Sequence, residues 1–165
     1  MQIKSKLTNR KGQVLDYVYY ENVDPMQDLE GKILHGVHGF CFCKEKMVVV
    51  YAEKKKYWTP PGGGIEKGET YVEALIREVK EETNMKVLHQ ELIGFIDVYE
   101  TDRTIRQTRS FCVVEPYGDF VSDPDDGEIT EIKLIDPKDY KKYFDWGAIG
   151  DRIVERALEI KEKLL

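Results

Sequence analysis

The sequence contains no long apolar stretch. Its longest apolar run, Met47 to Ala52, is far shorter than the roughly 20 residues that a membrane-spanning helix needs. The first ten residues are polar and lack the apolar segment of a secretory signal peptide. These absences argue against a membrane-spanning or secreted protein. We therefore expect a cytoplasmic protein with no membrane partner.

Positive charge is not in excess either. The chain has 25 basic and 31 acidic residues, which gives a formal net charge of −6 at neutral pH. A negative surface repels the phosphate backbone of nucleic acids and the headgroups of anionic lipids. We therefore expect no nucleic-acid partner, and any anionic small molecule would need a few locally placed cations.

Cysteine is scarce, with only Cys41, Cys43 and Cys112 among 165 residues. Free thiols in a reducing compartment are the ordinary explanation for an odd, small number of cysteines. A zinc site built from His35, His38, Cys41 and Cys43 is an alternative. On an extended strand, however, His38 would point away from the other three, and structural zinc sites usually take ligands at turn-type spacings.

The order of apolar patterns favours one α/β domain over residues 1–165. Residues 1–30 form an N-terminal extension that adds one or two strands or pairs with a second subunit in a homodimer. A helical pattern closes the chain from Trp146 to Leu164, and the acidic segment 119–127 predicts a surface loop. Strands are predicted at 13–20, 33–43, 46–53, 86–99, 107–117 and 131–135.

Three glutamates stand at one end of a predicted helix that follows a glycine-rich loop. Glu78, Glu81 and Glu82 are offset by 0, +3 and +4, which places their carboxylates on one helical face. Like charges at these spacings repel one another. A divalent cation removes that repulsion, and Mg²⁺ prefers oxygen ligands. The sequence therefore predicts a site for Mg²⁺, with Mn²⁺ as a substitute.

The helix itself is well specified. Thr70 followed by Glu73 is a capping box, and Asn84 stands where a left-handed residue commonly ends a helix. Four apolar residues recur at i, i+3, i+4 and i+7 and predict one buried stripe: Val72, Leu75, Ile76 and Val79. The three glutamates fall at the polar edge of that stripe.

Residues 63–85 resemble the Nudix box of the Nudix hydrolase family, and its MutT-like branch in particular. The pattern is Gly, any five residues, Glu, any seven, then Arg-Glu-hydrophobe-any-Glu-Glu-any-Gly-hydrophobe. One position departs from it, because Asn84 replaces the final glycine. The matching residues are Gly63, Glu69, Arg77, Glu78, Val79, Glu81, Glu82 and Met85. The resemblance implies a mixed sheet between helices, an α/β/α sandwich in which the box forms a loop–helix–loop.

The resemblance also implies an activity: metal-dependent hydrolysis of the pyrophosphate linkage in nucleoside diphosphates joined to another moiety. By resemblance, Glu78 and Glu82 hold the metal together with the backbone carbonyl of Gly62. Glu81 is a further ligand, either directly or through water. The general base is one glutamate of this cluster, Glu78 before Glu81, or a glutamate from a later loop.

Residues around this cluster have supporting roles by the same resemblance. Glu69 and Arg77 are expected to pair and so to tie the loop to the helix. Glu131 or Glu128 is a candidate for the extra ligand or base from a later loop, although a solvated carboxylate is at least as frequent at such places.

Substrate contacts are less strongly indicated by the sequence. Lys54, Lys56 and Arg103 are candidates for contacts with phosphate, but such residues are more often simply solvated. Trp58 and Trp146 are candidates for stacking on a base, although packing is the more frequent role of an aromatic residue.

The substrate is expected to be a small nucleotide. The segment 85–115 has no proline, where relatives that act on ADP-ribose carry one, which favours a nucleoside triphosphate, including an oxidised one. Nucleotide sugars, ADP-ribose and dinucleoside polyphosphates are alternatives. A nucleotide-sensing domain without turnover is another, but such domains usually lose box glutamates, and here all four are present.

Overall fold

The computed structural model describes residues 1–122 and 128–164. Nine strands and two main helices make up the fold of these residues. The strands are β1 (Gln2–Thr8), β2 (Val14–Glu21), β3 (Lys32–Cys43), β4 (Lys46–Ala52), β5 (Tyr57–Thr59), β6 (Gly62–Gly64), β7 (Met85–Tyr99), β8 (Thr104–Pro116) and β9 (Ile129–Ile135). The helices are α1 (Tyr71–Thr83), a 3₁₀ helix (Pro137–Lys142) and α2 (Gly147–Lys163). No helix in these described ranges is long and apolar enough to cross a membrane.

The predicted elements agree with the observed ones to within about three residues at each end. Two short strands, β5 and β6, were not predicted, and the bounds of β1 were not predicted either. The expected surface loop at 119–127 lies partly outside the described residues, since 123–127 are not described.

Within the described residues, nine strands form one mixed sheet. The main strand order is β1-β2-β7-β8-β3-β4-β5, with β6 paired to β3 and β9 paired to β4. The central pair β3 and β8 is parallel, and the other pairs are antiparallel. The N-terminal strands β1 and β2 therefore extend the same sheet through β7.

The two faces of the sheet bury different side chains. On β3, the small residues Val37 and Cys41 pack with α1, while Phe40 and Phe42 pack with α2. This division follows from the alternation of side chains along a strand. The helices therefore lie on opposite faces, and the predicted α/β/α sandwich is confirmed.

The start and end of α1 are as the sequence predicts. The hydroxyl of Thr70 accepts a hydrogen bond from the backbone N–H of Glu73, and the Glu73 carboxylate accepts one from the N–H of Thr70. Asn84 adopts φ 54° and ψ 40°, the left-handed conformation that glycine usually supplies at this position. The departure from the family pattern at Asn84 therefore leaves the end of the helix intact.

The buried stripe of α1 differs from the prediction at its margin. Ile76 is 45% exposed, and Val72 is only partly buried. The residues of α1 that are buried are Ala74, Leu75, Val79 and Thr83. The prediction for Ile76 was wrong because the helix rests on the sheet through a small residue, Ala74. The buried face is therefore centred on Ala74, Leu75 and Val79, and Ile76 lies outside it.

A buried ion pair fastens the long loop between β2 and β3. The Arg106 guanidinium makes two hydrogen bonds to the Asp97 carboxylate, at 2.8 and 3.1 Å, and both side chains are almost fully buried. Arg106 also donates to the backbone carbonyls of Pro25 and Gln27, at 2.7 and 2.5 Å. Lys32 reaches the second oxygen of Asp97 at 2.9 Å. The loop thus depends on one arginine for several of its backbone contacts.

Replacing Arg106 by methionine should lower the free energy of unfolding by about 3 kcal/mol, because the buried Asp97 would keep only Lys32 as a partner. Urea denaturation monitored by circular dichroism measures the change. The control is Lys6→Gln, which removes the exposed ion pair of Lys6 with Asp16 and should cost less than about 1 kcal/mol. Equal small effects of the two substitutions would contradict the assigned role of Arg106.

Candidate active site

The glycine loop lies where β3, β6 and α1 meet, and it has no room for a side chain at Gly62 or Gly63. A Cβ added to Gly62 would lie 2.1 Å from the backbone oxygen of Val37. A Cβ added to Gly63 would lie 2.6 Å from both carboxylate oxygens of Glu78. Glycine at these two positions lets the backbone approach the first glutamate of the cluster directly.

Arg77 connects the loop to the glutamate cluster. Its guanidinium donates to Glu69 at 2.7 and 2.9 Å, to Glu78 at 2.8 Å and to the backbone oxygen of Gly64 at 2.9 Å. A longer contact of 3.3 Å reaches Glu81. The predicted neighbours Glu69 and Arg77 are therefore brought together by the fold. One planar cation holds carboxylates from both ends of the box.

The pKa values of the two carboxylates beside Arg77, those of Glu69 and Glu78, shift in opposite directions. Hydrogen bonds from Arg77, and then from the backbone N–H of Glu66, lower the pKa of Glu69 to about 2. Burial raises the pKa of Glu78 above its ordinary value, although Arg77 acts against the rise. The two pKa values shift in opposite directions because burial removes more water from the Glu78 carboxylate than from the Glu69 carboxylate. Of the two carboxylates, that of Glu78 is thus the harder to ionise.

Glu82 contacts the same loop from the other side of the cluster. Its carboxylate accepts a hydrogen bond of 2.8 Å from the backbone N–H of Gly62. Glu78, Glu81, Glu82 and Gly62 all line one cavity of about 490 Å³, a size typical of small-molecule sites. The fold therefore brings the four predicted metal-site residues to a common space.

The donor set suits a hard divalent cation, because three carboxylates on one helical face border the cavity. Across the described ranges, no group of three His, Cys, Asp or Glu side chains already converges as a coordination shell. Arg77 and the N–H of Gly62 hold the carboxylates in the observed arrangement. A cation would compete with Arg77 for Glu78, and the residues fit such a cation by their chemistry.

The two later glutamates lie in different places. Glu128 lines the cavity and forms an ion pair of 3.2 Å with Lys55. Glu131 is exposed, stands opposite Tyr51 in the pairing of β9 with β4, and is not among the residues that line the cavity. Of the two candidates for an extra ligand or base, the structure brings Glu128 to the site.

None of the three predicted phosphate contacts, Lys54, Lys56 and Arg103, lines this cavity. Lys54 and Lys56 do not line it, whereas Lys55 between them does. Arg103 lines an adjoining cleft and pairs with Glu100 at 2.5 Å. The hairpin after β4 turns at Lys56, where φ is +60°, and this turn leaves only the middle lysine beside the cavity.

Sequence reasoning missed polar residues that the central strands place at the site. His38 on β3 stands opposite Gly62 on β6, and Gln107 on β8 also lines the cavity. Burial lowers the pKa of His38 well below its ordinary value, so the ring is neutral at pH 7. The available signal is a pair of histidines, His35 and His38, in a strand whose other residues are mostly apolar or glycine.

Comparison of the sequence with known proteins finds similarity to Nudix proteins. The family model of the NUDIX domain matches residues 35–157. A curated relative, the uncharacterized Nudix hydrolase YvcI of Bacillus subtilis, is 27% identical over 89 residues. That match covers 52% of this chain and 56% of the relative, so the chain spans about half the length of the curated protein it matches.

Solved structures share the fold. The pyrophosphohydrolase BsRppH of Bacillus subtilis aligns with a TM-score of 0.68 at 19% identity, over 95% of this chain and 97% of that one. The mutator MutT protein of Bacillus halodurans aligns with a TM-score of 0.58 at 18% identity, over 74% and 80% of the two chains. Since the family match includes the glycine loop, α1 and most of the sheet, this chain belongs to the NUDIX domain family.

Proposed function

We propose that this protein hydrolyses the pyrophosphate linkage of nucleoside diphosphates joined to another moiety, with Mg²⁺ as cofactor and a nucleoside triphosphate as favoured substrate. One observation carries the proposal. The box glutamates Glu78, Glu81 and Glu82 border one cavity, where Arg77 and the glycine loop fix their positions. Members of the family generally use divalent cations, and relatives are named as pyrophosphohydrolase and MutT.

Each residue of the cluster has a proposed task. Glu78, Glu82 and the carbonyl of Gly62 would hold Mg²⁺, with Glu81 as a further ligand. When bound there, the cation neutralises phosphate charge and lowers the pKa of a coordinated water. Glu78 is the first candidate for the general base and Glu81 the second. The pKa values of such a cluster belong to the group as a whole rather than to single residues.

Groups at the rim complete the site in this proposal. Lys55 and Arg10 line the cavity and would contact the phosphates, in place of Lys54 and Lys56. Glu128 replaces Glu131 as the preferred extra ligand or base, because it borders the cavity. Glu69 and Arg77 act as positioning residues, since they orient the three glutamates of the cluster and do not contact the substrate.

The favoured substrate follows from the lack of proline in 85–115, and the oxidised triphosphates belong to the same class. Nucleotide sugars, ADP-ribose and dinucleoside polyphosphates are the competing substrates, and a nucleotide-sensing role without turnover is the competing function. We propose further that the protein acts in the cytoplasm without a nucleic-acid or membrane partner. A homodimer stays a prediction.

Incubation with Mg²⁺ and a panel of these nucleotides should give turnover, and the products identify the bond that is cleaved. A nucleoside monophosphate with pyrophosphate indicates a triphosphate substrate. Two products that each carry one phosphate indicate a nucleotide sugar or ADP-ribose, whereas a nucleoside monophosphate with a nucleoside di- or triphosphate indicates a dinucleoside polyphosphate. Metal-independent binding without any product, for every nucleotide and metal tried, would replace the hydrolase by a sensing domain.

Glu82→Gln and Glu78→Gln should each lower kcat/KM by roughly 100-fold or more, because a neutral amide is a weaker ligand for Mg²⁺ and cannot act as a base. The steady-state rate at saturating Mg²⁺ measures the loss. Glu162→Gln is the matched control, since it removes one carboxylate from an exposed position of α2. Wild-type activity in Glu82→Gln would exclude the proposed metal site.

Glu69→Gln should raise the Mg²⁺ concentration for half-maximal activity by about 10- to 100-fold, because Arg77 would lose its charged partner in the loop. The maximal rate at high Mg²⁺ should recover most of the wild-type value. Glu66→Gln is the control on the same loop, since Glu66 is 69% exposed and 3.7 Å from Arg77. A loss of maximal rate that Mg²⁺ does not restore would show that Glu69 has a direct role in the reaction.

A further inference from the structure

A second cleft adjoins the cavity of the glutamate cluster. Its volume is about 800 Å³, and it shares several lining residues with the first cavity, among them Arg10, His38 and Gln107. Aromatic side chains also line it: Tyr17, Trp58, Tyr143 and Trp146. A molecule with its phosphates at the glutamates could therefore extend into this cleft without leaving the protein surface.

Arg109 lines this cleft and is buried, and none of the acidic side chains that the structure describes forms an ion pair with it. Only 5% of the residue is exposed, and its guanidinium donates to the backbone oxygen of Thr108 at 3.0 Å and to the amide oxygen of Gln107 at 3.2 Å. Among the described residues, its Nε has no hydrogen-bond partner. Burial lowers the pKa of Arg109 to about 10, so the side chain still carries its charge at neutral pH.

The contrast with Arg106 on the same strand is informative. Arg106 is equally buried, but the Asp97 carboxylate neutralises it. Arg109 forms no ion pair with any acidic side chain in the described part of the chain, although a buried charge is costly unless it is paired. An uncompensated arginine that lines a cleft is thus arranged to meet acceptor atoms of a ligand.

His38 stands beside Arg109 in the parallel pairing of β3 with β8, and its Nδ1 also lacks a hydrogen-bond partner in the part of the chain that the structure describes. The Trp146 ring lies 5.1 Å from the Arg109 guanidinium carbon and 5.3 Å from the His38 ring. Two unsatisfied polar groups and an aromatic plane therefore meet at one place in the cleft. Flat aromatic surfaces beside hydrogen-bond donors are typical of sites that bind a nucleobase.

The geometry points to a nucleobase seat in which Arg109 recognises guanine through its O6 and N7 acceptors. An arginine presents N–H groups in a fixed fork that matches this pair of acceptors. Adenine places a donor beside N7 and so mismatches the fork. The inference rests on the proposed function, because it assigns the phosphates of the same nucleotide to the glutamate cavity.

Equilibrium binding of mononucleotides to the metal-free protein, followed by tryptophan fluorescence, tests this directly. GMP and IMP should bind roughly 10-fold or more tightly than AMP and UMP, which is within the range for one bidentate contact to a base. IMP keeps O6 and N7 but lacks the amino group of guanine. A GMP analogue with carbon in place of N7 should lose most of the advantage.

Arg109→Met should remove the preference for GMP over AMP, while its thermal unfolding temperature should stay the same or rise, because a buried unpaired charge is removed. Arg103→Met is the matched control. It removes one positive charge from the same cleft at an exposed position, and the ratio of GMP to AMP affinity should not change. An equal change of this ratio in both variants would overturn the inference.

Two other results would also overturn it. Equal binding of all four mononucleotides would show that no base is selected. Binding of inorganic pyrophosphate that depends on Arg109, without any base preference, would make the cleft a second anion site. The nucleobase seat and the hydrolase proposal can fail independently of each other. Selective binding without turnover would contradict only the hydrolase proposal, and turnover without base preference would contradict only the nucleobase seat.

Discussion

The repulsion among neighbouring carboxylates on α1 is the constraint on which the rest of this site depends. Three glutamates on one helical face are unfavourable without a compensating cation. In the structure, Arg77 supplies part of that compensation, with contacts to Glu78 at 2.8 Å and Glu81 at 3.3 Å. Because Arg77 also holds Glu69, the same cation fixes the glycine loop against the helix. Arg77 therefore offsets part of the repulsion and keeps the cluster in place.

The protein uses three partly or fully buried arginines, Arg77, Arg106 and Arg109, in three different ways. Arg77 bridges several acids, and Arg106 is matched to Asp97 and to the carbonyls of a loop. Arg109 donates to two neutral acceptors, a backbone carbonyl and an amide oxygen. A guanidinium stays charged in all three settings, so its surroundings decide whether it organises the loop, stabilises the fold or is left to meet a ligand.

Local patterns predicted much of the fold. The capping box of Thr70, the left-handed Asn84 and the main strands follow from propensities and periodicities that act over a few residues. The strand β6 could not be predicted this way, because Gly62–Gly64 has no strand propensity and pairs only where β3 lies beside it. The error at Ile76 has a similar origin, since contact with the sheet selects the buried face of the helix.

The sequence by itself determined the glutamate spacing, the glycine loop and the family resemblance, because these are properties of one continuous segment. Only the tertiary structure decided that Glu128, rather than Glu131, borders the cavity, and that Lys55 lies there while Lys54 and Lys56 do not. It also decided that His38 and Arg109 meet beside Trp146. His38 and Arg109 come from strands far apart in the chain, and the pairing of β3 with β8, which no local pattern encodes, brings them together.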